Sequence, residues 1–240
     1  MLVLGFDTAT PAVSAAVHDG TRVSGEAFAV DARRHGELLA PMIAKVMADA
    51  GASRADLTAV AVGVGPGPYT GLRVGVVTAR VLGSVLGIPV YGVCTLDVIA
   101  AAVPARAGRE FLVATDARRK EVYWARYDGQ RRRLAGPQVG AASSIPGAAG
   151  LAVAGVGGEL YPEAFGEVTG PAYPQARTLC EIVVAQLADP DSDPDPDLDS
   201  DPAAARPPLL TATPLLTATP LYLRRPDARE PGPPKRVTPS

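Results

Sequence analysis

The chain has 240 residues, 47% hydrophobic and 20% charged, with a formal net charge of −2. That is enough apolar material for a sizeable core, and too even a charge for a stand-alone nucleic-acid binder. Two cysteines, Cys94 and Cys180, exclude a disulfide framework and a cysteine-rich zinc site, and reduced thiols predict a cytoplasmic protein.

Met1–Asp7 lacks the basic start of a secretory leader, and no apolar run reaches membrane-spanning length. Leu2–Phe6 reads as a strand ending at Asp7. Val13–His18 and Thr21–Val30 follow as two more strands, with Asp19-Gly20 as a hairpin signal between them. Leu38, Leu39, Met42, Ile43, Val46, Met47 and Ala50 recur at helical spacing up to Gly51. Pro41 lies either in the first turn of that helix or at a kink. Leu57–Val64 reads as a buried strand, followed by a Gly65–Gly71 loop rich in glycine and proline. A second helix runs from about 70 to 86, ending at Gly87, and Ile88–Val93 is another strand. A short helix begins near Thr95-Leu96-Asp97. Phe111–Thr115, ending at Asp116, pairs with Glu121–Tyr127. Beyond Gly136 the signal weakens to a short strand at Leu151–Val156 and a helix at Thr178–Leu187.

Thirteen of the 24 prolines fall in the last 52 residues, which carry 9 acids against 6 bases. Residues 189–201 alternate Asp with Pro and Ser and read as a solvated linker. A tandem hexamer, Leu-Leu-Thr-Ala-Thr-Pro, occupies Leu209–Pro214 and Leu215–Pro220. Two copies are too few for a solenoid. The predicted division is a first lobe over 1–100, a smaller second lobe over 101–188 completed by 220–225, a low-complexity insert at 189–219 and a disordered tail at 226–240.

Four places could carry chemistry. Asp7-Thr8-Ala9-Thr10 at the first strand's end could orient a metal-bound water or a phosphate-bound cation. The Gly65–Gly71 loop, with Gly65 and Gly67, precedes a helix and is either an anion cradle or a rigid turn. Pro66 and Pro68 supply no N–H to a cradle. His35 lacks a helical metal partner, because position i+4 is Leu39. Asp116 precedes Arg118-Arg119-Lys120 and, with Arg106, Arg109 and Arg131–Arg133, gives a basic stretch. That stretch is either a solvated hairpin edge or a contact to RNA or an acidic partner. No nucleophile elbow is present, and both cysteines sit among apolar residues. In the second helix, Gly71, Gly75, Ala79 and Gly83 form an i+4 row of small residues. Glycines cost helix stability, so the row needs a packing reason. That reason is either the chain's own sheet or a partner helix, with the methionines of the first helix adding an adaptable surface.

Six motifs in order resemble the TsaB family. They are Leu-Gly-Phe-Asp-Thr-Ala-Thr, His-Gly-Glu-Leu-Leu-Ala-Pro, Gly-Val-Gly-Pro-Gly-Pro-Tyr-Thr-Gly-Leu-Arg-Val-Gly, Tyr-Gly-Val-Cys-Thr-Leu, Asp-Ala-Arg-Arg-Lys-Glu-Val-Tyr-Trp-Ala and Pro-Leu-Tyr-Leu-Arg. The resemblance implies an α/β, actin/Hsp70-like (ASKHA) two-lobe fold of ribonuclease H-like units with a degenerate second lobe. It implies a non-catalytic partner of the TsaD-type subunit, which works with the ATPase TsaE to form N6-threonylcarbamoyladenosine (t6A) on tRNA. The catalytic relative carries a His-x-x-x-His metal pair where His35 is followed by Leu39, so no metal is expected. Helices matching 36–50 and 70–86 form the interface with TsaD or with a second copy. The implied contacts are Leu38, Met42, Val46, Met47, Gly71, Arg73, Gly75, Ala79 and Gly83. Nucleotide, if held, would sit weakly near Asp7, Thr8, Gly65 and Gly67, with Ala9 in a place usually given to glycine and Pro68 where serine or threonine is usual. The competing readings are a stand-alone ASKHA ATPase or phosphotransferase using Asp7 and Asp116, and a peptidase.

Overall fold

The structure, a computed structural model, describes residues 1–105, 109–188 and 215–223. The chain opens with β1 (Val3–Asp7), β2 (Ala12–His18), β3 (Val23–Val30), α1 (His35–Asp49), β4 (Ala59–Gly63), α2 (Tyr69–Leu86), β5 (Val90–Val93) and α3 (Thr95–Ala101). It continues with β6 (Phe111–Asp116), β7 (Val122–Tyr127), β8 (Arg133–Gly140), β9 (Ala152–Ala154), α4 (Val156–Leu160) and α5 (Ala176–Ala188).

Two sheets result, ordered β3-β2-β1-β4-β5 and β8-β7-β6-β9. In each, the first strand pairs antiparallel with the second and parallel with the fourth. The second sheet is thus a four-strand version of the first. This repeated ribonuclease H-like unit is the expected actin/Hsp70-like α/β plan.

Strands β1, β2 and β4 are buried along their whole length because both faces of the first sheet are covered. Leu4, Phe6, Val13, Ala15, Val17, Val60 and Val62 face α1 and α2. Val3, Ala16, Ala59 and Ala61 face Leu179, Cys180, Ile182 and Val183 of α5. Helix α5 therefore belongs to the first lobe, not to the second lobe predicted over 101–188. Without it those four strand residues would lie open. Helix α3 goes the other way: Leu96 and Ile99 join Phe111, Val113 and Tyr127 in the second lobe's core.

Strand β8 was not foreseen. It contains Gly136 and Pro137 and pairs irregularly with β7 at the sheet's edge, the place where proline is tolerated. The hairpin at Asp19-Gly20 is wider than two residues: β3 starts at Val23, and Asp19 accepts bonds from the N–H groups of Thr21 and Arg22. Pro41 is the seventh residue of α1 and exposed, so it lies past the first turn.

The boundary placed at 219 also moves. Leu216 exchanges two backbone hydrogen bonds of 2.7 Å with Gly92 on β5, and Leu221 N–H donates to Val64 O. Ala218 is buried in the first core. Residues 215–223, most of them from the second hexamer, form an arm along the edge strand β5. The predicted linker 189–201, the first hexamer and the tail from 226 lie outside the described residues.

Candidate functional site

The strand-end residues Asp7, Thr8, Gly65 and Gly67 do come together, but as a sealed joint. Asp7 is fully buried. One carboxylate oxygen accepts the Ala9 N–H at 2.7 Å; the other accepts the Thr95 hydroxyl at 2.8 Å. Thr95 in turn accepts the Gly65 N–H at 3.1 Å. A Cβ on Gly67 would lie 1.9 Å from Ala9 O, so the Gly65–Gly71 loop is pressed against the β1–β2 turn. The loop is the rigid-turn alternative, and its glycines allow that approach. Burial raises the Asp7 pKa to about 6, against the lowering pull of its two hydrogen bonds and of nearby His35.

Thr8 explains the glycine row. Its hydroxyl donates to Gly71 O at 2.7 Å and accepts from Gly75 N at 3.0 Å. It is thereby inserted into one rung of the α2 hydrogen-bond ladder. A Cβ on Gly71 would meet Thr8 O at 2.6 Å, one on Gly75 would meet Thr8 Oγ1 at 2.5 Å, and one on Gly83 would meet Val90 Cγ2 at 2.3 Å. Gly71, Gly75, Ala79 and Gly83 are all buried inside this chain. The expectation that this row meets a partner is therefore corrected: the row seats α2 on β1 and β5. Val46 is likewise buried in the core. Leu38, Met42 and Met47 are half-buried, packing partly on the first core.

His35 is 9% exposed and its Nε2 donates to Thr10 O at 2.7 Å. Leu39, one turn on, is 2% exposed in the core. Among the described residues no cluster of three His, Cys, Asp or Glu side chains could hold a metal.

Among the described residues the basic stretch does not form one patch. Arg132 pairs with Asp128, and Arg133 turns inward to Asp97 at 3.3 Å. Tyr127 donates to Asp97 at 2.7 Å, and Arg131 donates to Ala101 O. Burial raises the Asp97 pKa, opposed by Arg133, and pushes the Cys94 thiol up to about 12. This buried group ties α3 to β7 and β8. Asp97 and Tyr127 are 30 residues apart, so spacing alone could not reveal it. Asp116 accepts the Arg118 N–H, and Arg118, Arg119 and Lys120 have φ of 62°, 56° and 62° in an exposed turn. Arg109 is exposed, and Arg106 lies outside the described residues.

The outer face of α2 is the surface that sequence reasoning underused. Tyr69, Val77, Val81 and Val85 are 47, 50, 55 and 77% exposed, in one i+4 row with Arg73. Arg73 lies 5.1 Å from the Tyr69 ring centroid and donates to its hydroxyl at 2.7 Å. Tyr222 of the arm stacks on Tyr69 with centroids 5.2 Å apart. A signal was available, because Arg73 and Arg80 share this arc of the helix and charged residues mark the side away from the core.

Residues 28–156 match the family described as "TsaD: tRNA N6-adenosine threonylcarbamoyltransferase". An uncharacterized protein of Mycobacterium tuberculosis is 53% identical over 157 residues, 64% of this chain and 71% of the relative. Escherichia coli tRNA threonylcarbamoyladenosine biosynthesis protein TsaB is 38% identical over 128 residues, 53% of this chain and 55% of that protein. This chain belongs to the family that residues 28–156 match and is similar to proteins named TsaB. The fold agrees. A Pseudomonas aeruginosa protein with similarity to peptidase YeaZ superposes with TM-score 0.71 at 26% identity, covering 93% of this chain and 99% of its own. YeaZ from the same organism gives 0.66 at 28% identity, with 78% and 93% covered. The chain has no helix, among the described residues, long and apolar enough to cross a membrane.

Proposed function

We propose that this chain is the accessory subunit in t6A formation on tRNA. It docks on a TsaD-type catalytic subunit, works beside a TsaE-type ATPase in the cytoplasm, and carries out no chemistry of its own. The observation that carries the reading is the joint at β1. Asp7 has both oxygens occupied by its own chain, and Leu39 fills core space at the position where the resemblance puts the second metal histidine. A buried, internally satisfied carboxylate supports structure better than phosphate chemistry. The homologues named for threonylcarbamoyladenosine biosynthesis support the pathway. The exposed α2 face, with the half-buried Leu38, Met42 and Met47 of α1 beside it, is the docking surface, so no cofactor is needed in this chain.

The test is reconstitution. Purified chain alone should turn over no ATP, and should raise t6A formation when mixed with the TsaD- and TsaE-type proteins, tRNA and threonylcarbamoyl-adenylate. Intrinsic ATP turnover that disappears in Asp7→Asn would instead establish the phosphotransferase reading.

A further inference from the structure

The face of the first sheet turned away from α1 and α2 carries a cavity of about 390 Å³ beside the N-terminus of α5. Its lining includes Ser14 of β2, Glu26 and Phe28 of β3, and Gln175, Ala176 and Arg177. That volume is within the range of small-molecule sites and too large for a single ion. The strand register explains the lining. Val13, Ala15 and Val17 face α1 and α2, whereas Ala16 faces α5, so Ser14 points to the α5 side. Phe28 and Glu26 pair with Ser14 and Ala16 and share that side.

The cavity holds polar groups that the chain itself does not use. Ser14 is 2% exposed, and its hydroxyl has no hydrogen-bond partner among the described residues. A buried hydroxyl is normally paired, and an orphan in a cavity wall points to a ligand. The first internal bond of α5 runs from Leu179 N–H to Gln175 O at 3.2 Å. The N–H groups of Ala176, Arg177 and Thr178 therefore stand outside the helix ladder, and no acid lies in that first turn. The rim carries one charge of each sign. Arg177 Nη1 and Glu26 Oε2 are 3.6 Å apart, with side chains 47 and 56% exposed. At that separation each head keeps open hydrogen-bonding positions. Phe28 adds an aromatic wall, extended by Tyr173 with ring centroids 6.4 Å apart.

An anion alone would satisfy the helix end and Arg177 but would face Glu26. A cation alone would meet Glu26 and be repelled by the other two. A zwitterion matches all three. We infer that this cavity binds an α-amino acid with an apolar side chain. The carboxylate accepts from the α5 N-terminus, Arg177 and the Ser14 hydroxyl. The ammonium donates to Glu26, and the side chain lies on Phe28. Neither Asp7 nor the Gly65–Gly71 loop lines the cavity, so the site is not the strand-end joint. It is also independent of the docking role, since α2 covers the other face of the sheet. The segment that forms it crosses between lobes: Val156 N–H donates to Ala172 O at 2.9 Å, and Ala176 packs on the first sheet. An occupied cavity therefore braces that crossing and should raise the thermal midpoint of the chain.

The experiment is titration calorimetry on the full chain. L-Phenylalanine and L-leucine should bind saturably with a Kd of about 1 mM or tighter. 3-Phenylpropionate lacks the ammonium and phenethylamine lacks the carboxylate, and each should bind at least about tenfold more weakly than L-phenylalanine. Arg177→Gln and Glu26→Gln should each weaken L-phenylalanine about fivefold or more, and Glu26→Gln should not weaken 3-phenylpropionate. Ser14→Ala should also weaken the amino acid, yet leave urea unfolding of the free chain unchanged or moved to higher urea, because it removes an unpartnered hydroxyl. Loss of stability in Ser14→Ala with binding intact would make that hydroxyl structural and overturn the assignment. Absence of saturable binding by either amino acid up to about 10 mM would overturn it outright. So would 3-phenylpropionate binding as tightly as L-phenylalanine, which would mark a plain carboxylate site. ADP binding that Arg177→Gln abolishes would replace it with a nucleotide site.

Discussion

The two faces of α2 have opposite assignments although they are written in the same eighteen residues. The inner face has given up side chains. Gly71 and Gly75 let the Thr8 hydroxyl enter a rung of the helix, and Gly83 lets Val90 approach. The outer face keeps large side chains and leaves them in solvent, from Tyr69 to Val85. A glycine-rich row on a helix reports close approach without saying what approaches; here it is Thr8, just past the chain's own first strand, and Val90 of β5. What remains free for a partner is the side that looks less unusual in sequence.

The sharpest way to break this contrast is to refill the inner face. Gly75→Leu places a branched side chain where Thr8 Oγ1 lies 2.5 Å from the first added carbon. Overpacking and the loss of a buried hydrogen-bonded rung together should cost about 4 kcal/mol or more. The expected outcome in chemical denaturation is a chain that barely folds, in place of a folded monomer that fails to dimerise. A well-folded Gly75→Leu protein with lost pairing would return the row to the interface.

Next in size is the pH dependence of the same joint. The folded pKa of Asp7 is raised from 3.8 to about 6. The folded state therefore holds this proton longer than the unfolded chain does. The stability tied to Asp7 is complete below the unfolded pKa and declines as pH rises through about 6, by roughly 3 kcal/mol in total. Urea unfolding from pH 4 to 8 should show that decline in the wild type and a flatter profile in Asp7→Asn. The same slope in both proteins would assign it elsewhere.

The smallest effect belongs to the outer face. Val85→Ser removes a side chain that is 77% exposed, so thermal unfolding should move by no more than about 0.5 kcal/mol. A larger loss would mean that Val85 packs on this chain after all.

Much of the first lobe was legible because its elements obey simple rules. The apolar runs at β1, β2 and β4 are continuous where the sheet is covered on both faces, and α2 ends at a left-handed glycine, Gly87, with φ of 67°. The proximity of Asp7 and the Gly65–Gly71 loop was legible too, since both lie at strand ends of one sheet. Three things were not. Strand β8 contains residues that disfavour strands and is allowed only by its edge position. The return of α5 to the first sheet, and the inward turn of Arg133 to Asp97, join residues far apart in the chain, and local pattern holds no record of that. The direction of the glycine row depended on a threonine more than sixty residues earlier, which spacing within a helix cannot show.

The arm on β5 has one more consequence. Leu209–Leu215 and Leu215–Leu221 are the same seven residues, Leu-Leu-Thr-Ala-Thr-Pro-Leu. A slip of six positions would offer Gly92 and Val64 an identical set of backbone and side-chain partners, and the backbone bonds alone could not tell the copies apart. The residue that follows breaks the tie. In the observed alignment Tyr222 reaches the Tyr69 ring, whereas the shifted one would bring Leu216 there. A single aromatic ring thus acts as the index mark that selects one of two duplicate tracks.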